Sequence, residues 1–252
     1  MLYLKNNCTM SLYSASKWEA PDRNFVGHRD TLVRNMSRYH FAAAAARGRC
    51  LDIGCGRGYG FEYLVSKCSS CVGLDVSASF LAEARAHFPD VSFVQHTAEE
   101  LPFEDASFDT ITSFEVIEHV QDDGAFLREI RRVAGPHATV AISTPNRAVA
   151  SGDRERPLNK FHVREYSAPE FQGLLESVFA RVELFGQFDG PAGPTVRKAL
   201  VDRIPVRLKY LIPAYVQDVI SVTIRPPLKI EDCRFEPASF EGAHTLYATC
   251  HT

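Results

Sequence analysis

Leu51-Asp52-Ile53-Gly54-Cys55-Gly56-Arg57-Gly58-Tyr59-Gly60 decides how the rest of the chain is read. A short apolar run, Cys50 to Ile53, reads as a strand. Glycines follow at every second position, and the helical spacing Phe61, Leu64, Val65 comes next. A strand that turns sharply into a helix needs residues that tolerate positive φ and let a ligand approach the backbone. The new helix offers unpaired N–H groups and the positive end of its dipole. The segment therefore predicts a site for a polar, partly anionic ligand at the carboxyl edge of a sheet.

A dinucleotide would require G-x-G-x-x-G. Counting from Gly54, the third glycine is replaced by Tyr59; counting from Gly56, it is replaced by Phe61. Both frames fail. What stands here is D-x-G-x-G-x-G, Asp52 to Gly58. It resembles motif I of the class I S-adenosylmethionine-dependent methyltransferases, whose loop wraps the methionine end of that cofactor.

Later segments extend the resemblance to about residues 38 to 188. Val72 to Val76 reads as a second strand, and Asp75 lies 21 residues after Gly54. An acid at that strand end can accept hydrogen bonds from both ribose hydroxyls. It could instead cap the next helix, a task that Ser77 or Ser79 could also perform. Val91 to Gln95 reads as a third strand, followed by Thr97-Ala98-Glu99. The family usually has Asp-Ala there, near the adenine amino group. With Thr97 in the acid's place, a backbone contact from Ala98 survives but a carboxylate contact from position 97 does not. Phe108 to Phe114 matches the family's motif IV. The Arg38-Tyr39 pair before motif I resembles a family feature near the cofactor carboxylate, although simple packing by Tyr39 explains it equally well. Taken together, the resemblance implies cofactor contacts from Tyr39, Asp52, Gly54, Cys55, Gly56, Gly58, Asp75, Val76, Thr97, Ala98, Glu99, Phe114 and Glu115.

The acceptor side of such a fold is built from the loops after the fourth and fifth strands. After the fourth comes Glu115-Val116-Ile117-Glu118-His119. A helical turn would place Glu115, Glu118 and His119 at i, i+3 and i+4, on one face. Two carboxylates and an imidazole converging on one point repel unless something positive lies among them. The E-x-x-E-H pattern is similar to one in the ubiquinone-biosynthesis O-methyltransferases and in the small-RNA 2′-O-methyltransferases. In the latter it holds Mg²⁺ together with a later histidine, which His162 resembles by position. Three readings stay open. A divalent metal held by Glu115, Glu118, His119 and His162 could lower the acceptor's pKa. His119 or His162 could act as a metal-free base. Or Glu115 borders the cofactor while Glu118 and His119 cap the next segment. Arg164 and Tyr166 are candidates to line the acceptor pocket.

Composition sets the outer bounds. With 252 residues and 45% apolar content, one domain with a real core is expected. No window has the length and apolar content of a membrane-spanning helix, and no secretory signal is visible at the amino terminus. Seven cysteines without framework spacing suit a reducing cytoplasm. Cys68 and Cys71 form a C-x-x-C with no second pair, which reads as structural. A net charge of −3 argues against DNA as a partner.

Strands are expected near 49–53, 71–75, 91–95, 109–114 and 138–143, and helices near 28–47, 58–67, 79–87, 122–134 and 168–178. This alternation predicts a doubly wound, mostly parallel α/β sheet. The resemblance implies seven strands, the last two (180–188 and 246–250) forming an antiparallel edge hairpin. The domain reading is an N-terminal segment over 1–27, a core over 28–188 plus 246–252, and an insertion over 189–245. The insertion is rich in proline and large apolar residues, and reads as an acceptor lid, a homodimer surface or an interfacial membrane anchor. The expected activity is methylation of a small molecule, most simply at oxygen. N- or carboxylate methylation, a binding protein without catalysis, and a nicotinamide oxidoreductase are the rivals.

Overall fold

The computed structural model describes residues 27–154, 156–189 and 228–252. The expectations for residues 1–26 and for a lid, dimer surface or membrane anchor within 190–227 lie outside the described residues. Contacts divide the chain into two units, and the one made of Asn35–Gly190 and Ile230–Thr252 holds the whole sheet. Among the described residues, no helix is long and apolar enough to cross a membrane.

The sheet alternates with helices as the sequence predicts. Helix α1 (Gly27–Ala42) precedes β1 (Arg49–Ile53). Then come α2 (Phe61–Leu64), β2 (Ser70–Asp75), α3 (Ala78–His87), β3 (Ser92–Gln95) and β4 (Phe108–Phe114). A single 3₁₀ turn (Ile117–His119) leads to α4 (Asp123–Val133), β5 (Ala134–Pro145), α5 (Arg147–Ala150) and α6 (Ala168–Glu176). Strands β6 (Arg181–Asp189), β7 (Cys233–Pro237) and β8 (Thr245–His251) complete it.

The strand order is β3-β2-β1-β4-β5-β8-β6-β7. Strands β1 to β5 pair in parallel, while β8 runs antiparallel to both β5 and β6. Among the described residues there are eight strands rather than the seven expected. The additional one, Cys233–Pro237, comes from the stretch read as an insertion and pairs with β6 from Phe185↔Pro237 to Asp189↔Cys233. Its alternation Cys233, Phe235, Pro237 is too short to separate from loop on pattern alone.

The central strands are buried on both faces, with the polar residues Asp52, Thr112, Ser113 and Ser143 enclosed among the apolar ones. Leu51, Ile53, Ile111, Val140 and Ile142 are wholly inaccessible. Helix α4 shows helical periodicity. Phe126, Leu127, Ile130 and Val133 are all buried, at the spacing of one helical face. Each such side chain contributes about 1.5–3 kcal/mol relative to exposure. The helix begins where Asp122 accepts the Ala125 N–H at 2.8 Å.

Two helices are shorter than their patterns suggested. The segment 58–67 is helical only over Phe61–Leu64. Gly56 and Gly58 hold positive φ (53° and 82°), so the helix cannot start before them. Its end tightens when the Lys67 N–H bonds to Leu64 O, three residues back, ahead of β2. Helix α1 ends at Ala42, and the chain reverses through Gly48 at φ 60° to enter β1.

Candidate active site

Parallel pairing of β1 with β2 and β4 brings three strand ends to one edge: Ile53 beside Leu74 on one side and Ser113 on the other. The glycine loop, Asp75 and the turn after β4 must therefore lie together. The loop folds back on β2, with the Gly54 and Cys55 N–H groups both bonding to Leu74 O at 2.7 and 3.0 Å. Gly54 has φ 72°, and a Cβ there would sit 2.4 Å from Val116 Cγ2. Gly56, at φ 53°, faces open space, with nothing within 4 Å of where its Cβ would be. One glycine thus makes room for the protein and the other leaves room for a ligand.

Asp75 joins loop to strand. Its Oδ2 accepts the Gly56 N–H at 2.8 Å, and its Oδ1 accepts the Ser77 N–H at 2.8 Å. The helix-cap alternative falls to another residue, because Ser77 Oγ accepts the Phe80 N–H at 3.3 Å and caps α3. Beside it, Val76 is 63% exposed, an apolar side chain left at the strand end. Thr97 and Glu99 are exposed and Ala98 is half-buried. The Glu99 carboxylate accepts the Gln121 N–H at 2.9 Å.

Asp52 and Tyr39 are placed under the loop rather than facing a ligand. Asp52 is wholly buried. Its Oδ1 accepts from Thr112 Oγ1 at 2.7 Å, and the Tyr39 hydroxyl lies 3.1 and 3.0 Å from its two oxygens. Burial pushes its carboxyl up to about 7, partly offset by those bonds. The Tyr39 ring occupies the space a Cβ on Gly60 would need, 2.3 Å from Cε1. It also packs edge-on against Phe114, with centroids 4.7 Å apart. Of the two roles open to Tyr39, packing is the one seen. The Cys55 side chain is buried as well, and burial drives its thiol pKa upward.

Glu115 does not join Glu118 and His119. The turn is not helical through Glu115, whose φ is 58°, a backbone state uncommon and costly for a non-glycine residue. Its Oε1 pairs with Arg38 Nη1 at 2.6 Å and accepts from Ser143 Oγ at 2.9 Å. Arg38 is 2% exposed and also bonds Asn35 Oδ1. This half-buried ion pair joins α1 to the turn after β4 and, through Ser143, to β5. Arg38 lies beside Tyr39 in the motif noted in the sequence, but only the tertiary fold shows where its guanidinium goes.

Glu118, His119 and His162 do converge, with one ligand atom from each within 4.8 Å of the others. The Val163 N–H bonds to Glu118 O at 2.8 Å, and this contact carries the His162 loop to the turn. Glu118 is fully buried; Oε2 accepts from Thr144 Oγ1 at 3.2 Å, and Oε1 has no partner. Burial, reinforced by nearby Glu115, raises its carboxyl pKa well above the ordinary range. His119 is exposed, and its Nδ1 lies 2.9 Å from Phe161 O. A carbonyl can only accept, so Nδ1 carries a proton, and in the neutral ring Nε2 presents a lone pair. The His162 ring stands 4.9 Å from that of His119. Its Nδ1 meets Glu165 Oε1 at 2.9 Å, and its Nε2 meets Asn159 Nδ2 at 2.8 Å.

Arg164 and Tyr166, the candidate pocket residues, have their polar groups committed elsewhere. Arg164 Nη1 is 2.6 Å from Asp123 Oδ2, and the Tyr166 hydroxyl donates to the same oxygen at 2.8 Å. They fasten the histidine loop to the start of α4. Asp123 was missed in the sequence because an acid in a helix's first turn is common without any further task.

A family model described as a methyltransferase domain matches residues 51–142. The chain is 40% identical over 154 residues to a protein of Mycolicibacterium smegmatis named a probable S-adenosylmethionine-dependent methyltransferase. That match covers 60% of this chain and 60% of the relative. It is 37% identical over 128 residues to the ubiquinone biosynthesis O-methyltransferase of Azorhizobium caulinodans, covering 49% of this chain and 51% of that one. The matched part thus spans only half to three-fifths of these curated relatives. In fold it is similar to a solved Thermotoga maritima protein described as an S-adenosylmethionine-dependent methyltransferase and possible histamine N-methyltransferase. That structure has a TM-score of 0.59 at 19% identity, with 89% of this chain and 94% of the other covered. Residues 51–142, which hold the glycine loop, Asp75 and the β4 edge, thus match a methyltransferase domain, and the chain is similar there to S-adenosylmethionine-dependent methyltransferases.

Proposed function

We propose that the chain transfers the methyl group of S-adenosylmethionine to an oxygen of an apolar small molecule. The observation that carries this reading is the meeting, at one sheet edge, of the glycine loop closed by Asp75 and an imidazole whose free nitrogen is fixed by Phe161 O. The residues fit the cofactor. Gly56 leaves open space, Asp75 has further lone pairs for ribose hydroxyls, and Val76 offers an apolar surface. Bound there, the sulfonium supplies the methyl group and departs as a thioether.

The chain's own residues hold and move the proton. As the acceptor oxygen bonds to carbon, its proton passes to His119 Nε2 and then to solvent. Proton transfer of this kind contributes about 10²–10⁴-fold to rate. The Phe161 carbonyl keeps the imidazole in the right tautomer. Arg38 fixes Glu115, and so the turn that carries His119. Leu158, Phe161 and Val163 are exposed on the histidine loop, and Phe161 is 69% exposed. Such side chains suit an apolar acceptor. The likeness to a ubiquinone biosynthesis O-methyltransferase supports oxygen over nitrogen.

A second reading, a divalent ion at Glu118, His119 and His162, is favoured by the unpartnered Glu118 Oε1. Glu165 behind His162 is the kind of carboxylate that orients an imidazole ligand. Two imidazoles and one carboxylate suit Mn²⁺, Co²⁺ or Zn²⁺ better than Mg²⁺, which prefers oxygen alone. An ion there would lower the pKa of the acceptor hydroxyl. Methyl transfer to a panel of phenols and amines, before and after chelation, tests both readings. Phenol turnover that survives chelation and falls in His119→Ala supports the base. Turnover abolished by chelation and restored by Mn²⁺ supports the ion. Turnover only with amines contradicts the choice of oxygen.

A further inference from the structure

The cofactor edge lies at the carboxyl ends of the parallel strands. A second group of reactive side chains sits near their opposite ends, where methyl transfer makes no use of it. Cys50 stands near the start of β1 and Cys71 near the start of β2, and the register pairs them directly. Side chains paired in this way project from the same face. Cys68 lies in the turn before β2, held by its N–H bond to Leu64 O at 3.0 Å. The three Sγ atoms lie within 4.8 Å of one another. Cys50 and Cys71 are buried and Cys68 is half-buried, so the cluster is closed on two sides and open on the third.

Read as a sequence, the C-x-x-C is a lone pair of thiols. The fold adds a third from 18 positions earlier than Cys68, which changes the chemistry available. A disulfide between any two would leave the third thiol unmatched, whereas one ion satisfies all three. Three thiols converging on one point are an arrangement that soft cations select.

We propose that Cys50, Cys68 and Cys71 form a binding site for a soft d¹⁰ cation, Zn²⁺ or Cu⁺, entered from the side of Cys68. Metal–sulfur bonds of about 2.3 Å place the sulfurs of a trigonal or tetrahedral site roughly 3.7–4.0 Å apart. Separations of up to 4.8 Å leave only a small closing movement. Among the described residues no carboxylate or imidazole completes the group. A zinc ion would therefore take its fourth ligand from water or a small thiol, while Cu⁺ can remain three-coordinate. Binding releases the thiol protons to solvent and so strengthens as pH rises. The ion would tie β1 to the turn before β2 and stabilise the folded chain by mass action.

The test uses the full chain, reduced and without oxygen. Co²⁺ serves as the coloured stand-in for Zn²⁺, and Cu⁺ is delivered from a competing chelator. The expected result is one equivalent of at least one of the two ions bound, a thiolate-to-metal charge-transfer band, and protection of Cys68 from alkylation read by mass spectrometry. Cys68→Ser should lose the band and weaken binding by about tenfold or more, with circular dichroism unchanged. His119→Ala should keep the band, because the histidine cluster contains no sulfur. Absence of the band and of protection with both ions would overturn the proposal. So would a band that survives Cys68→Ser or is lost in His119→Ala. Should Cys68→Ser fail to fold, the alkylation result on the unmodified chain decides.

Discussion

Replacing Asp52 by Asn tests whether the first acid of the glycine motif supports the loop or grips a ligand. Asp52 is wholly buried beneath Tyr39 and Thr112, and its carboxyl is pushed from 3.8 to about 7, chiefly by burial. An acid with a raised folded pKa binds its proton more tightly in the native state than in the unfolded one. Stability is therefore fully present below the unfolded value and falls as pH rises toward the folded value. At 1.36 kcal/mol per unit, the shift of about three units removes roughly 4 kcal/mol over that window, of which about 2–3 kcal/mol falls between pH 5 and pH 8. Asn keeps an acceptor for Thr112 and cannot ionise. It loses at most one good hydrogen bond to Tyr39, worth about 1 kcal/mol at any pH. About 1.5 kcal/mol of that loss is already present at pH 5, so Asp52→Asn should match or slightly exceed the parent near pH 5 and exceed it by about 3 kcal/mol near pH 8. Urea unfolding of both proteins across that range measures it. A stability difference that stays flat from pH 5 to pH 8 would refute the reasoning.

Three further outcomes follow from the geometry. Arg38→Ala leaves Glu115 without its cation in a largely buried setting and should cost about 3 kcal/mol, the lower end for broken buried pairs because Glu115 reaches solvent; urea melts should show Arg38→Lys recovering only part of it, as Lys cannot reproduce the fork. Gly54→Ala meets a left-handed backbone costing roughly 1–2 kcal/mol and a contact of 2.4 Å with Val116 Cγ2; adding Val116→Ala should relieve the clash but not the backbone cost, which a double-mutant cycle separates. His119→Ala should reduce turnover by about 10²–10⁴-fold while the affinity for S-adenosylhomocysteine, measured by calorimetry, stays within error.

What the sequence shows and what it hides divide along physical lines. The strand at 49–53 was legible from the glycine turn that follows it, and the one at 109–114 from its match to the family's motif IV rather than from apolar content, because buried Asp52, Thr110, Thr112 and Ser113 interrupt both. The α4 face was legible from its helical spacing. The part of Asp75 was half legible: two serines could have capped α3 in its place, and the fold shows that Ser77 does. Glu115 was misplaced for a definite reason. E-x-x-E-H suggests a helical face, but Glu115 takes positive φ and turns its carboxylate to Arg38, a partner far away in sequence. No local pattern announces such a turn at a glutamate. Asp52 was read as facing the cofactor, and only packing shows Tyr39 and Thr112 enclosing it. The third thiol beside Cys68 and Cys71 comes from strand register, which spacing along one chain does not encode. Strand β7 lay hidden in a proline-rich stretch because an edge strand of five residues carries little periodicity.

Titration of the purified chain with S-adenosylhomocysteine in a calorimeter addresses the central claim most directly. Saturable binding at one site is expected, weakened roughly tenfold to a hundredfold in Asp75→Ala by loss of a charged hydrogen-bond acceptor and unaffected by added NAD. No heat with the nucleoside, or equal affinity in Asp75→Ala, would contradict it.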